Sequence, residues 1–227
     1  MPAAAFGASA RADHTDSVFK AELAVPAAID AAPGISVQGR LVRSLVFSTD
    51  LAVICHCNAD AVLAVYPFTC QAAITQALVM ASQRPVFNGV GGSITQGERC
   101  VAIGLHSELQ GVAAVVVNAG IPVETVRDLA DHLNIPVVVT VCDAAERARA
   151  QIDAGASMVN VAAGARTAEV VAALRAQYPQ LPLIATGGPT DESIRATIAA
   201  GADAISWTPP AIQDLEREVM ERARLLR

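Results

Sequence analysis

The segment Leu183–Trp207 reads LIATGGPTDESIRATIAAGADAISW. It contains a short apolar run, Leu183–Thr186, then a loop with two glycines, a stretch of helical period over Asp191–Ala200, and a second apolar run, Ala204–Trp207. Apolar runs of this length are typical of strands that are buried on both faces, as in a parallel sheet. The segment therefore predicts a strand, helix and strand unit with parallel strands.

The same unit recurs along the chain from Leu41 onward, because eight apolar runs alternate with segments that are long enough for a helix. The predicted strands are Ser44–Phe47, Ala61–Tyr66, Val86–Asn88, Ala113–Val117, Val137–Thr140, Met158–Val161, Leu183–Thr186 and Ala204–Trp207. The predicted helices are Leu51–Cys57, Cys70–Ser82, Glu98–Leu109, Val123–Leu133, Ala144–Ala154, Thr167–Gln177, Asp191–Ala200 and Ile212–Leu226. Eight units predict an α/β fold, a single (β/α)8 TIM barrel, and an open doubly wound sheet is the competing topology.

Three turns of the chain resemble one another and support this division. The sequences NADAV, GASMV and GADAI, at Asn58–Val62, Gly155–Val159 and Gly201–Ile205, each place a residue that tolerates left-handed backbone between a helix and a strand. Prolines immediately precede three of the runs, where a missing backbone donor is tolerated: Pro85, Pro136 and Pro182.

The start of the chain is predicted to lie outside the eight units. Residues 1–14 are rich in alanine but lack a basic segment followed by a sustained apolar stretch, so we expect a flexible tail and no secretory signal. Thr15–Ala32 predicts an additional helix at the amino-terminal end of the barrel, which Pro33-Gly34 would end. Residues 15–227 are then one barrel domain.

Composition limits the classes of partner. The net charge is −6, and no cluster of Lys and Arg offers a surface for nucleic acid or an anionic membrane. No apolar stretch is long enough to span a membrane. The five cysteines are odd in number and scattered, which indicates reduced thiols in the cytoplasm. We expect a small anionic metabolite as the partner, and the sequence leaves a homo-oligomer open.

The candidate site residues follow from the barrel, because active sites form at the carboxyl ends of its strands. Asp50 is the candidate acid or base, although it can equally cap the following helix. Asn118 and Asn160 end apolar strands and could either hold an oxyanion or make structural hydrogen bonds. The candidate substrate-binding residues are Tyr66, Thr140, Thr186, Gly187, Gly188 and Trp207.

Two glycine-rich loops follow predicted strands, and we interpret them differently. Gly187 and Gly188 would let the backbone approach an anion, and the helix start after them presents free N–H groups and a positive dipole end. We therefore expect an anion site there, with an ordinary turn capped by Thr190 as the alternative. Gly89–Gly97 matches neither a Walker A motif nor a GxGxxG fingerprint, so we interpret it as a flexible turn, with a ligand cradle in which Ser93 and Thr95 donate as the alternative.

Residue types that are missing from the strand ends limit the chemistry. Lys20 is the only lysine and precedes the barrel, so no strand offers an amine for a Schiff base. Asp50 and Asp143 are the only acidic residues directly at strand ends, too few for a carboxylate cluster around Mg²⁺, and Cys55-His56-Cys57 lacks a second pair of zinc ligands. We predict no metal and no cofactor, with FMN as the alternative.

The motif Ile184–Thr190 with Ala200–Ile205 resembles the carboxy-terminal quarter of phosphate-binding barrels. Families of this kind include 2-keto-3-deoxy-6-phosphogluconate aldolases, thiamine-phosphate synthases and N-acetylmannosamine-6-phosphate epimerases. This chain departs from them at Ser206–Pro210, where they usually carry glycine and small residues. With Arg43–Asp50 and Ala64–Phe68, the whole chain also resembles uncharacterised barrels that are loosely labelled hydrolases.

The function predicted first is a metal-free barrel enzyme that acts on a small anionic metabolite, such as a phosphorylated one, by proton transfer, as an isomerase, epimerase or lyase. Three alternatives stay open: an FMN-dependent oxidoreductase resembling nitronate monooxygenases, a hydrolase, and a metabolite-binding barrel without catalysis.

Overall fold

The computed structural model describes residues 23–225, so the predicted tail and residues 15–22 of the predicted first helix lie outside the described part. The strands of the described part are β1 Ile35–Val37, β2 Arg40–Val42, β3 Ser44–Phe47, β4 Ala61–Ala64, β5 Val86–Gly91, β6 Ala114–Val117, β7 Val137–Val141, β8 Met158–Val161, β9 Leu183–Thr186 and β10 Ala204–Trp207. Its α-helices are α1 Leu51–His56, α2 Ala72–Ala81, α3 Gly97–Leu109, α4 Val123–His132, α5 Glu146–Asp153, α6 Thr167–Gln177, α7 Asp191–Ala199 and α8 Ile212–Leu225.

Strands β3 to β10 close into a parallel barrel in sequence order, with β10 pairing with β3. The predicted α/β TIM barrel is therefore confirmed. The strand bounds differ most at two places, since β4 ends at Ala64 and β5 continues to Gly91. The longer β5 pairs with β6 through an irregularity between Gly89 and Gly91, which the apolar pattern did not predict.

Alternation along the strands separates two apolar layers. Leu63, Phe87 and Val116 belong to the cluster that fills the barrel, whereas Val62 and Val115 belong to the larger cluster shared with the helices. Because both faces of each strand are covered, the strands are almost uniformly apolar. This is why the sequence shows continuous runs instead of alternation.

A hairpin that the sequence did not predict closes the amino-terminal end of the barrel. Strands β1 and β2 are antiparallel, and Ile35, Val37 and Val42 pack into the interior cluster. Their two-residue turn, Gln38-Gly39, has φ of 49° and 76°. Positive φ at both positions is the backbone of a type I′ turn, whose twist suits a tight hairpin.

The additional helix predicted over Thr15–Ala32 is wrong in its described part. A 3₁₀ turn, Ala27–Ala31, follows Pro26, which has extended backbone with ψ of 132°. Proline lacks a backbone N–H and disfavours helical backbone in the residue before it, so a continuous helix is interrupted. The 3₁₀ turn packs against α7, and Ile29 is fully buried.

The three similar turns share a function that their sequences encode. In each turn, a side-chain oxygen accepts a hydrogen bond from the backbone N–H of the residue that begins the preceding strand. The three acceptor and donor pairs are Asp60 with Ser44, Ser157 with Val137, and Asp203 with Leu183. Gly155 and Gly201 have the predicted positive φ, at 118° and 112°. Asn58 is a correction, because it is not among the described residues with positive φ; its Oδ1 instead accepts a hydrogen bond from the N–H of Val25.

Candidate functional site

A cavity of about 240 Å³ opens at the carboxyl-terminal end of the barrel, beside the ends of β4, β5 and β6. Three segments form most of its wall: Val65–Phe68 after β4, Gly89–Thr95 at the end of β5, and Asn118 after β6. This is the end at which TIM barrels carry their ligands. Two of the predicted site residues, Tyr66 and Asn118, lie in this cavity.

The loop after β5 is held in one conformation by its packing. A Cβ atom on Gly91 would collide with Cys100 Sγ and would lie 2.9 Å from the backbone oxygen of Thr95. A Cβ atom on Gly92 would lie 3.0 Å from the Cβ of Asn118, so glycine makes room for this side chain. The N–H of Gly92 also donates to the oxygen of Thr95 at 3.0 Å. The loop that we interpreted as a flexible turn is therefore a constrained wall of the cavity.

Tyr66 contributes a neutral phenol to the cavity. Its hydroxyl oxygen accepts a hydrogen bond from the N–H of Gln71 at 2.8 Å, which leaves the hydroxyl proton able to donate elsewhere. Burial, together with the neighbouring Cys70, raises the pKa of Tyr66 to about 12, and the hydrogen bond from the Gln71 N–H opposes this rise. Tyr66 therefore acts as a hydrogen-bonding group and not as a base at neutral pH.

A row of uncharged polar side chains continues around the mouth on the inner face of β7 to β10. Thr140 is paired in register with Asn160, and Thr186 with Ser206. The Asn160 amide nitrogen donates to Thr140 Oγ1 at 3.3 Å, while its amide oxygen is buried and has no hydrogen-bond partner. The amide oxygens of Asn88 and Gln110 also lack a partner, but Asn160 differs from them because it faces the mouth, where a water molecule or a ligand group can pair with it.

Asp50 adopts the capping role that was one of its two predicted roles. Its Oδ1 accepts hydrogen bonds from the N–H groups of Ala52 and Val53 at 2.8 and 3.2 Å, at the start of α1. The carboxylate is exposed and does not line the cavity described above. Both cap hydrogen bonds use Oδ1, so the cap leaves Oδ2 unused.

The second glycine loop, Thr186–Gly188, has structural reasons for both glycines. A Cβ atom on Gly187 would lie 2.7 Å from Ile205 Cγ2 and 2.8 Å from Ile194 Cγ1, and Gly188 has φ of 80°. The N–H of Gly187 lies 3.4 Å from the oxygen of Ser206, a long hydrogen bond. The anion site expected at this loop stays a prediction.

Two neighbours of that loop bear on the same prediction. Thr190 and Ser193 form a capping box at the start of α7, as the alternative interpretation of the turn expected. Trp207 lies on the same face of β10 as Ile205 and packs against the outer apolar cluster. The structure therefore places Trp207 away from the inner wall of the mouth, and apart from Tyr66 and Asn118.

The described residues offer few ligands for a metal ion. No group of three His, Cys, Asp or Glu side chains suited to a metal occurs within residues 23–225. In the same part of the chain, no helix has both the length and the apolar character needed to cross a membrane.

Comparisons with known proteins find similarity only at the level of structure. No protein-family model matches the chain, and no curated protein matches it. A phosphonopyruvate hydrolase superposes with a TM-score of 0.64 at 14% identity, over 86% of this chain and 85% of that chain. The phosphoenolpyruvate phosphomutase from Streptomyces platensis subsp. rosaceus has a TM-score of 0.61 at 15% identity, over 87% and 83%.

A mandelate oxidase is similar to the same extent, with a TM-score of 0.64 at 16% identity, over 84% of this chain and 74% of that chain. At such identities the likeness shows the fold, a TIM barrel. The fold expected from the sequence is thus confirmed, and the phosphate-binding families named from it are not shown by these matches.

The sequence favoured the less apt of two interpretations for the β5 loop, which lines the cavity opposite Phe68, and it gave no role to Ile94. Gly91, Gly92, Ser93 and Thr95 were the available signal, since small and hydroxyl-bearing residues followed a predicted strand. The signal was ambiguous because the same composition is typical of flexible turns.

Proposed function

We propose that this barrel is an enzyme that binds a small anionic metabolite at its carboxyl-terminal mouth and moves a proton on that metabolite without a metal ion. The observation that carries the proposal is the mouth itself: uncharged hydrogen-bonding groups converge there, and one of them, the buried Asn160 amide, has an end without a partner. An active site needs such groups where charge develops in the transition state.

The Asn160 amide suits an anionic ligand for a specific reason. The Thr140 hydroxyl can donate as well as accept, so the amide can turn over and keep a hydrogen bond to Thr140. In one orientation its oxygen points to the unpaired position, and in the other its NH₂ group does. With the NH₂ group inward, Asn160 would donate to a ligand oxygen, together with the Asn118 amide across the mouth.

The proton transfer is assigned in this proposal to Asp50, which lies outside the lining of the cavity but follows β3 at the same end of the barrel and has Oδ2 free of the helix cap. Its Oδ2 would take a proton from a carbon next to a carbonyl or carboxylate, so that the C–H bond breaks and its electrons move to the ligand oxygen. The amides of Asn118 and Asn160 would stabilise that oxygen as it gains charge. Return of the proton to the carbon completes an isomerisation or an exchange.

The matched structures support the choice of a small anion. A phosphonopyruvate hydrolase has been solved in complex with oxalate and Mg²⁺. Oxalate is a dicarboxylate that is small enough for a cavity of about 240 Å³. Metal independence in this chain is supported by the uncharged residues of the mouth, Thr140, Asn160, Thr186 and Ser206, since Mg²⁺ usually needs carboxylate ligands.

The test is exchange of carbon-bound hydrogen in D₂O, followed by NMR over a panel of small 2-oxo and 2-hydroxy acids with the chelator EDTA present. We expect exchange of at least one compound, and Asp50→Asn should slow it by about 100-fold or more, because a positioned acid or base contributes about 10²–10⁴-fold. Asn still accepts the cap hydrogen bonds, so folding should be preserved.

Asp143→Asn is the matched control, because Asp143 is also a strand-end carboxylate and accepts a hydrogen bond from the N–H of Ala145. It should exchange at the wild-type rate. Full activity in Asp50→Asn would reduce Asp50 to a helix cap. Exchange that EDTA abolishes and Mg²⁺ restores would refute metal independence.

A metabolite-binding barrel without catalysis is the second candidate. It is favoured by one observation: the inward polar residues of the mouth, Asn118, Thr140, Asn160, Thr186 and Ser206, are all uncharged. The same panel separates the two candidates, because a binding barrel would bind a compound in calorimetry and exchange none of its hydrogens.

A further inference from the structure

Two large apolar side chains stand exposed at the rim of the cavity. Phe68 is 76% exposed and Ile94 is 73% exposed, and both line the cavity together with Val65 and Val90. Exposed apolar side chains that border a concave site are typical of ligand pockets, since the ligand removes them from water when it binds.

The two side chains are held relative to each other by a hydrogen bond between their loops. Phe68 precedes Thr69 and Ile94 precedes Thr95, and the hydroxyl groups of these threonines are 2.9 Å apart. Thr95 is itself buried. The positions of Phe68 and Ile94 are therefore set before a ligand arrives, which lowers the entropy cost of binding.

Each loop is also fixed by its own contacts. Gln71 donates its backbone N–H to Tyr66 and its side-chain amide to the oxygen of Thr69. In the other loop, the side chain of Gln96 donates to the oxygen of Ser93. These hydrogen bonds hold the segments on both sides of Phe68 and Ile94, so the apolar rim is a built feature of the cavity.

Exposure alone would not carry this conclusion. Met80 on α2 and Leu109 on α3 are equally exposed but do not line the cavity. Single exposed apolar residues of that kind are common on protein surfaces. Phe68 and Ile94 differ because they come from separate loops, flank one cavity and are joined through Thr69 and Thr95.

Polar groups among the other lining residues define the second part of the ligand, although Asn118 and Ser93 are themselves exposed. Asn118 has an amide in the cavity, Ser93 and Thr95 have hydroxyl groups, and Tyr66 has a neutral phenol. No Asp, Glu, Lys or Arg is among the lining residues of this cavity. The cavity therefore places uncharged hydrogen-bonding groups beside an apolar rim.

We infer that the ligand is an amphiphilic acid, with an oxygen-rich anionic head on the side of Asn118 and an aryl or branched alkyl group between Phe68 and Ile94. The inference rests on the proposed function for the head and adds the apolar group. It makes Phe68 and Ile94 determinants of specificity that leave recognition of the head unchanged.

The test compares pyruvate with phenylpyruvate in isothermal titration calorimetry of the full chain, because both share the 2-oxo carboxylate head and differ by a phenyl group. We expect phenylpyruvate to bind at least about 30-fold more tightly. A single methylene in an apolar pocket already changes discrimination between ligands by about 10- to 200-fold, and a phenyl group is larger. Phe68→Ala and Ile94→Ala should each remove about tenfold of that preference and leave the pyruvate affinity within about twofold.

Thr69→Val tests whether the hydrogen bond between the two loops contributes to binding. It removes the hydroxyl of the Thr69–Thr95 hydrogen bond and keeps the side-chain shape. It should weaken phenylpyruvate binding more than pyruvate binding. Met80→Ala and Leu109→Ala are the matched controls and should leave both affinities unchanged.

The outcomes distinguish this inference from the proposed function. Equal affinities of wild type for the two acids, or an unchanged preference in Phe68→Ala and Ile94→Ala, would overturn the apolar subsite and leave the anion site standing. Binding of phenylpyruvate and toluene alike, with no effect of Asn118→Leu, would show an apolar site without an acid head and would contradict both proposals. Failure of both acids to bind would also count against both.

Discussion

The two ends of this barrel are built from different chemistry. At the amino-terminal end, charged side chains have several fixed partners: Asp203 accepts from Arg175 at 2.6 Å and from the Leu183 N–H at 2.8 Å, and Asp60 accepts from the N–H groups of Arg43 and Ser44. At the carboxyl-terminal end, the inward polar side chains of β7 to β10 are neutral, and the Asn160 amide oxygen has no partner.

The difference separates polar groups that stabilise the fold from polar groups that remain able to bind a ligand. A carboxylate with several fixed hydrogen-bond donors stabilises the fold. A buried amide with an unpaired end costs stability and keeps its hydrogen-bonding capacity for a ligand. In barrel enzymes the amino-terminal face serves stability and the carboxyl-terminal face serves function. The following substitutions test that division.

The largest effect is expected at the closed end. Asp203→Ala removes a partly buried ion pair with Arg175 and the acceptor for the Leu183 N–H. Hydrogen bonds to charged groups contribute about 1.5–3 kcal/mol, so we expect the free energy of unfolding to fall by about 2–3 kcal/mol in urea denaturation.

Asp191→Ala is the control at the mouth. Asp191 also pairs with an arginine, Arg195, at 3.3 Å, but both side chains are more than half exposed. Exposed pairs of this kind contribute about 0.3–0.5 kcal/mol. Equal losses in the two variants would contradict the division between the ends.

A change of the opposite kind is expected for Asn160→Leu at the open end. It removes a buried amide whose oxygen is unpaired, at the cost of one long hydrogen bond to Thr140. We expect stability to be unchanged or to rise by up to about 1 kcal/mol, while affinity for the anionic ligand falls. A stability loss above about 1 kcal/mol, measured by urea denaturation, would instead assign Asn160 a structural role.

The smallest effect concerns the hairpin that closes the amino-terminal end. Gln38 has φ of 49° without being glycine, and asparagine adopts that backbone more readily. Gln38→Asn should stabilise the protein by about 0.5 kcal/mol, seen as a rise of about 1–2 °C in Tm.

Gly39→Ala is the matched change with the opposite sign. No atom lies within 4 Å of a Cβ built on Gly39, so any loss comes from its φ of 76° alone. We expect a loss of about 1 kcal/mol. A stabilised Gly39→Ala would show that the type I′ backbone is not retained in solution.

Much of the fold could be predicted because its signal is local. Each apolar run, such as Val137–Thr140, reports burial on both faces, and Gly155 and Gly201 report a backbone reversal. The hairpin β1 and β2 was missed because its strands have three residues each, too short for a pattern. The prediction of a helix over Thr15–Ala32 is wrong in its described part, because Pro26 interrupts helical backbone although the pattern of side chains favours a helix.

The site could be predicted only as far as the strand ends. Asn118 and Tyr66 were expected at the mouth and do lie in the cavity. Trp207 was placed on the wrong side, because one residue of register decides whether a strand side chain faces the barrel interior or the helices. The sequence pattern offers no alternation to set that register when both faces are apolar.

The two glycine loops show the remaining limit. In sequence, Gly187-Gly188 and Gly91-Gly92 are equivalent pairs after a strand, and only contacts between distant segments distinguish them. Ile194 and Ile205 fill the space beside Gly187, and Cys100 and Asn118 likewise leave little room for a Cβ on Gly91 or Gly92. Only the second pair lines the cavity, together with Tyr66 and Phe68.

The sequence by itself determined the barrel, the number of its strands and the end at which its polar residues gather, because these follow from hydrophobic period and chain order. Only the tertiary structure decided which loop lines a cavity, which amide lacks a partner and which apolar residues flank the opening. These properties depend on the distances between segments that are far apart in sequence. Thr69 and Thr95, which adjoin Phe68 and Ile94, are 26 positions apart and hydrogen-bonded to each other, and no local pattern specifies such a contact.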